Sequence, residues 1–325
     1  MAVLVPLSGA DGAVGRSIAN AARLALLDSG GTAVRLRIYD TKAGGSTAAA
    51  SQAVAEGNRL ILGPLLPEQV RAAAPVARRA RVPMISYSND VVVAGNGVYV
   101  MGFPPGQAID RVVRHARQAG QGRFAGLAPN GLYGQRATQA LLGATARAGG
   151  AVTAVETYVR PEAARSAARR LNARGGFDAV LIADDAGVAA SAAPQFRRGP
   201  RLLGTELWAG ERALGRTPRL RGAWFAAPPE ARFAQFVTRY QARYGETPPR
   251  LASLGYDSVL LTVRAARDWP AGRRFPERAL LAEDGFAGVD GIFRFGSDGV
   301  AQRAFEVRQV TAAGSTIVSP APTQF

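Results

Sequence analysis

Strand-length apolar segments alternate with helix-length segments through the first ninety residues, and this limits the fold more than any other feature. An apolar strand, residues 3–7, enters a small-residue loop, residues 8–15, followed by a helix rich in Ala and Leu. A second strand, residues 34–39, ends in Asp40-Thr41; a third spans residues 59–64 and a fourth residues 83–90. Strands joined by helix-length crossovers must pair in parallel, so their C-terminal ends share one edge of the sheet. Open α/β sheets bind ligands at that edge. Here it collects Ser8, Asp40, Ser86, Ser88, Asn89 and Asp90.

The alternation predicts more of the same. A strand at 97–103 leaves the first series. Residues 105–119 form an amphipathic helix, with Ile109, Val112, Val113 and Ala116 on one face. A second series follows: strand 124–128, helix 134–148, strand 152–158, helix 161–172, strand 179–183, strand 201–204 and strand 222–227. Two helices, one marked by Phe233, Phe236, Val237, Tyr240 and Tyr244 and one running from about 251 to 267, have no parallel strand after them and pack most simply back on the first series. Residues 292–295 and 304–310, around the turn Gly296-Ser297-Asp298-Gly299, read as a terminal hairpin. The expectation is an α/β chain of two lobes, each a mostly parallel sheet flanked by helices. Lobe 1 takes residues 1–103 and 228–288, and lobe 2 takes residues 104–227 and 289–325. Three crossings, near 102–106, 226–230 and 287–293, would act as a hinge beside a cleft.

Composition removes several functions. The chain of 325 residues has no Cys and one His, which excludes disulfides, thiolate chemistry and most nucleophile–base pairs. Gly9, Gly12 and Gly15 are spaced GxxGxxG rather than as the GxGxxG of a dinucleotide turn, and the single Lys, Lys42, belongs to no phosphate loop. No carboxylate pair is marked for glycoside hydrolysis. The expectation is a non-enzyme without cofactor or metal. The net charge of +16 rests on scattered arginines without interleaved aromatics, a solubilising surface rather than a nucleic-acid interface. No apolar run approaches the ~18 residues of a membrane span. A DNA-binding regulator would need a helix-turn-helix ahead of the first strand, so that reading returns only if the full gene encodes such a segment.

Several motifs carry a resemblance. Leu7-Ser8-Gly9 with Gly15, Asp40-Thr41, Ile61-Leu62-Gly63-Pro64 and Val82-Pro83-Met84-Ile85-Ser86 resemble type I periplasmic solute-binding proteins of the leucine/isoleucine/valine-binding kind. Tyr133-Gly134, Leu203-Gly204-Thr205-Glu206, Ser253-Leu254-Gly255-Tyr256-Asp257 and the stretch from Phe286 through Asp290-Gly291 to Phe295 extend it over nearly the whole chain. Gly63-Pro64-Leu65, Ser86-Tyr87-Ser88-Asn89-Asp90 and Leu202-Leu203-Gly204-Thr205 are most similar to the penicillin-binding-protein activators. The resemblance implies a periplasmic domain, free or lipid-anchored, whose export signal precedes residue 1. It would close its cleft on a small polar solute, an amino acid or a peptidoglycan fragment. The partner would be a membrane permease of an ABC importer or, in the activator reading, a peptidoglycan synthase.

The same resemblance places the site. Ser8, Ser86, Ser88 and Asn89 are ligand donors or, alternatively, local turn caps. Tyr133 stands where the family covers its ligand with a tyrosine, or is an ordinary aromatic. Glu206 stands where amino-acid binders pair an acid with the ligand amine, or makes a surface salt bridge. Asp184 and Asp185 could line the same wall, and Trp208 is a stacking surface or a lid over the core. His115 is expected to be solvated. Two departures oppose simple amino-acid binding: Pro67 replaces a binding Ser, removing a hydroxyl and an N–H, and Asp90 replaces a Thr and would repel a carboxylate. These favour the activator, whereas Tyr133 and Glu206 favour the receptor.

Overall fold

The computed structural model describes residues 1–30, 34–159, 163–270 and 272–325. The chain divides into two compact units: Met1–Pro104, Glu230–Arg303 and Gln324–Phe325 form the first, and Pro105–Pro229 with Ala304–Thr323 the second.

The first unit opens with β1 (Ala2–Val5), α1 (Gly12–Asp28), β2 (Arg37–Asp40), α2 (Gly45–Ala55), β3 (Ile61–Leu62), α3 (Pro67–Ala80), β4 (Met84–Ser86) and β5 (Val98–Val100). All five strands are parallel, in the order β2-β1-β3-β4-β5. Helix α3 shows why such helices dock. Val70, Ala73, Ala74 and Ala77 recur at helical spacing and are buried, whereas the arginines between them face water. Pro67 occupies its first turn, where a missing N–H costs nothing.

The second unit holds α4 (Pro105–Gln118), β6 (Arg123–Pro129), α5 (Leu132–Arg147), β7 (Ala151–Tyr158), α6 (Ala164–Arg174), β8 (Ala179–Ile182), α7 (Ala186–Ala192), β9 (Arg201–Gly204) and β10 (Trp224–Ala227). Its parallel strands run β7-β6-β8-β9-β10, repeating the first unit's order strand for strand. The start expected for α6, Pro161, lies outside the described residues. Helices α8 (Ala231–Tyr244) and α9 (Ala252–Ala265) belong to the first unit. Gly255 lets α9 lie directly on α1, since a Cβ there would stand 2.3 Å from the Ile18 carbonyl oxygen.

The C-terminal region differs from the expected single hairpin. Strands β11 (Phe286–Gly288), β12 (Gly291–Phe295) and β13 (Ala301–Arg303) make a small antiparallel sheet. The Val100 N–H donates to the Gly299 carbonyl at 2.8 Å, tying that sheet to β5, so residues 289–303 belong to the first unit rather than to lobe 2. The third passage between units therefore follows Arg303, later in the chain than expected. Only β14 (Glu306–Thr311) and β15 (Gly314–Ser319) join the second unit, where β14 runs antiparallel to β10. No described helix is long and apolar enough to cross a membrane.

Candidate functional site

The shared strand order reverses direction between β1 and β3 in one unit and between β6 and β8 in the other. Loops that follow strands at such a reversal diverge and leave a crevice at the C-terminal edge.

In the second unit that edge brings together residues far apart in sequence. Tyr133 begins α5 just beyond β6, and Thr205 and Glu206 follow β9. The Tyr133 hydroxyl donates to Glu206 Oε1 at 3.0 Å and lies 3.0 Å from Thr205 Oγ1. With its one proton committed to Glu206, the Tyr133 oxygen accepts from the Thr205 hydroxyl. Thr205 Oγ1 also accepts from the Leu207 N–H, which fixes its rotamer. This relay aims the carboxyl of Glu206 and satisfies one oxygen. Oε2 is buried and has no hydrogen-bond partner. Burial raises the Glu206 carboxyl to about 7, against the pull of its own N–H and of Tyr133. Burial, and then the neighbouring Glu206 charge, push the Tyr133 phenol well above its ordinary value.

Asp184 and Asp185 separate in role. Asp184 is fully buried and spent: it accepts from the Tyr158 hydroxyl at 2.6 Å and from the Asp185 N–H at 2.8 Å. Its backbone carbonyl accepts from Trp208 Nε1 at 3.0 Å. Asp185 is exposed and caps α7, its Oδ1 accepting from the Val188 N–H. Trp208 is fully buried in the core of the unit, over Gly204, and is not a stacking surface. His115 is half-buried rather than solvated, edge-on to Trp224 at 4.7 Å; burial, Arg111 and Arg201 all lower its pKa.

In the first unit the polar residues at the corresponding edge are occupied locally. Ser86 Oγ donates to the Pro64 carbonyl and accepts from the Ser88 N–H; Ser88 Oγ accepts from the Asp90 N–H; Asp90 accepts from the Val92 N–H. These steps make a ladder of side-chain turns, the local alternative to ligand contact. Asp90 is buried and paired with Arg71 at 2.8 Å. Asp40 likewise holds the loop after β1, accepting from the Leu7 and Lys42 N–H groups. Ser8 and Asn89 are exposed. A cleft of about 510 Å³ lined by Pro129, Asn130, Gln135, Arg136 and Thr157 opens beside α5 and takes in neither Tyr133 nor Glu206. Among the described residues no group of three or more His, Asp or Glu could hold a metal.

Glu206 also makes stability pH-dependent. Above its ordinary 4.5 the unfolded chain ionises this carboxyl freely, whereas the folded chain keeps the proton until about 7. Its contribution is therefore fully present at low pH and lost as pH rises across that window. Glu206→Gln should flatten the fall in Tm between pH 4.5 and 7, measured by thermal scans; an unchanged slope would place the carboxyl in water.

Comparison with known proteins matches the same architecture. A family model described as periplasmic binding protein covers residues 1–315. A solute-binding protein of an ABC transporter from Rhodopseudomonas palustris BisB5, solved with 3,4-dihydroxybenzoic acid, is 20% identical, with coverage of 100% of this chain and 96% of the other and a TM-score of 0.76. A branched-chain amino acid ABC transporter periplasmic ligand-binding protein from Burkholderia xenovorans LB400 is 15% identical over 98% and 94% of the two chains, with a TM-score of 0.79. A leucine binding protein from Thermotoga maritima MSB8 is 22% identical over 98% and 97%, with a TM-score of 0.72. Among curated sequences, an uncharacterized protein of Rickettsia prowazekii strain Madrid E is 26% identical over 178 residues, 53% of this chain. The chain spans about half the length of that relative, 47%. With the paired parallel sheets of one order and a match running almost end to end, the chain belongs to the periplasmic binding protein family.

Proposed function

We propose that this chain is a periplasmic receptor of an ABC importer and that its second unit captures a small solute bearing a primary amine. The observation that carries this reading is Glu206 Oε2, buried and unpartnered while Tyr133 and Thr205 hold the rest of the carboxyl in place. An unsatisfied buried acceptor is costly, and an incoming ammonium group both satisfies it and restores the carboxylate charge. Relatives described as leucine-binding and branched-chain amino acid proteins support the amine class; the relative solved with 3,4-dihydroxybenzoic acid shows that the fold also accepts aromatic acids.

The test is calorimetric titration with a panel of amino acids, and the same panel against Glu206→Gln. Loss of a charge-assisted bond to an ammonium, typically about 1.5–3 kcal/mol, should weaken binding roughly tenfold or more. Because Glu206 ionises at about 7, affinity for an amine should also rise between pH 6 and 8. Equal affinity of both proteins for every amine that binds would remove Glu206 from the site.

A second reading is supported by the first unit. Ser86, Ser88 and Asp90 are committed to local turns and Pro67 lacks an N–H, so that edge holds few free donors for a solute. This favours a chain that works by contact with a peptidoglycan synthase. Stimulation of a purified synthase by the protein, without any added solute, would decide for it.

A further inference from the structure

The opposite, N-terminal edge of the second unit's sheet carries a crowd of arginines. Arg201 begins β9 and its guanidinium lies 4.2 Å over the ring of Trp224, the first residue of β10. Arg219 lies beneath the loop that precedes β9 and donates to the carbonyls of Phe196, Arg197 and Pro200 at 3.2, 2.9 and 2.8 Å. Those bonds turn the loop so that Arg197 and Arg198 project into water. Among the described residues none of these four arginines has a carboxylate partner. Burial, then Arg201 and Arg198, depress the pKa of Arg219, so the cations repel one another in a partly dehydrated place. Elsewhere on this unit arginines are neutralised: Arg170 and Arg174 clamp Glu156, and Arg147 and Arg114 share Asp110.

A shallow cleft of about 550 Å³ opens at this loop, lined by Gln121, Asp178, Arg197, Arg198 and Gly199 among others. Its one carboxylate is already used: Asp178 accepts from the Gly122 and Arg123 N–H groups and from the Arg123 guanidinium. What remains is a concavity with unpaired guanidinium groups, and planar forks of this kind match the oxygens of phosphate-class anions.

We propose that the loop of residues 196–200, through Arg197 and Arg198, binds an oxyanion of the phosphate class carrying two or more negative charges, free in solution or borne on a lipid headgroup. The anion removes the repulsion that Arg198 and Arg201 impose on Arg219. The site is independent of Glu206, which lies at the other end of the same strands.

Pyrophosphate titrated calorimetrically at constant ionic strength tests the free anion, and sedimentation with phosphatidylglycerol vesicles, against phosphatidylcholine vesicles, tests the headgroup. The variants are Arg197→Ala/Arg198→Ala, both exposed, and Arg59→Ala on the first unit as a control for net charge. The expected result is saturable binding of at least one probe, weakened about tenfold or more in the double variant and unchanged in Arg59→Ala. Binding of pyrophosphate identifies a soluble ligand; binding of vesicles alone identifies the headgroup. Absence of both, or binding that the double variant retains or that Arg59→Ala loses equally, overturns the proposal.

Discussion

Asp290→Ala should cost the first unit about 3 kcal/mol or more, the range in which breaking a buried ion pair falls. Asp290 sits fully buried in the turn between β11 and β12. It pairs with Arg250 at 2.7 Å and accepts from the Ser253 hydroxyl on α9. Arg303 lies nearby, buried, its guanidinium stacked on Phe103 at 4.4 Å and donating to the Met101 carbonyl at 2.6 Å. Burial depresses the Arg303 pKa, and Asp290 more than Asp257 opposes that depression. Without Asp290, Arg303 is opposed by Asp257, which burial and repulsion from Asp290 hold above the ordinary carboxylate range. Once that repulsion is gone, Asp257 ionises more readily and recovers part of the loss, which keeps the cost near the low end.

Asp257→Asn separates the two carboxylates. The amide oxygen can still accept from the Val289 N–H, as Asp257 Oδ1 does at 2.8 Å, and the like-charge repulsion disappears. It should change stability far less than Asp290→Ala. Urea unfolding of the two variants beside the parent chain is the measurement, read as the shift in midpoint. A loss below about 1 kcal/mol for Asp290→Ala would mean that water reaches the cluster.

The alternating pattern made the layered α/β fold legible because each crossover helix carries a local 3.6-residue signal; α4, expected at 105–119, forms at Pro105–Gln118. The C-terminal strands were not legible in the same way. Alternation marks a strand but not its neighbour, and β14 pairs with β10 some eighty residues upstream rather than with β12. The candidate site shows the same limit. Nothing local joins Tyr133 to Glu206; only the resemblance placed both at one site. The serine ladder was half legible, since Ser86, Ser88 and Asp90 stand two residues apart, the spacing of side-chain turns. The Asp257, Asp290 and Arg303 cluster was missed. Its signal was a charged residue inside the apolar run of α9, but the partner that makes sense of it comes from β13.

Gly134→Ala is expected to damage both stability and binding in the second unit. A Cβ at Gly134 would stand 1.6 Å from the Pro129 carbonyl oxygen and 2.7 Å from its carbon. Both are backbone atoms at the end of β6, so no rotamer change relieves the clash and the first turn of α5 must lift away. A Cβ at Gly15 would likewise stand 1.7 Å from the Pro6 carbonyl oxygen in the same place of the first unit, so both units use glycine to seat a helix against a strand end. Overpacking of this kind typically costs about 1–3 kcal/mol, more than the ~1 kcal/mol that Ala returns over Gly within a helix. Tyr133 is the adjacent residue, and a shift of α5 would draw its hydroxyl from the 3.0 Å contacts that hold Thr205 and Glu206. Gly143→Ala is the control on the same helix: its Cβ would meet only the flexible end of Arg147, so the propensity gain should appear unopposed. Thermal scans should show Gly134→Ala lowered and Gly143→Ala level or raised, with amine binding lost only in the first. Matching melting temperatures in the two variants would show that α5 has room to move at its start, and the relay to Glu206 would then need another anchor.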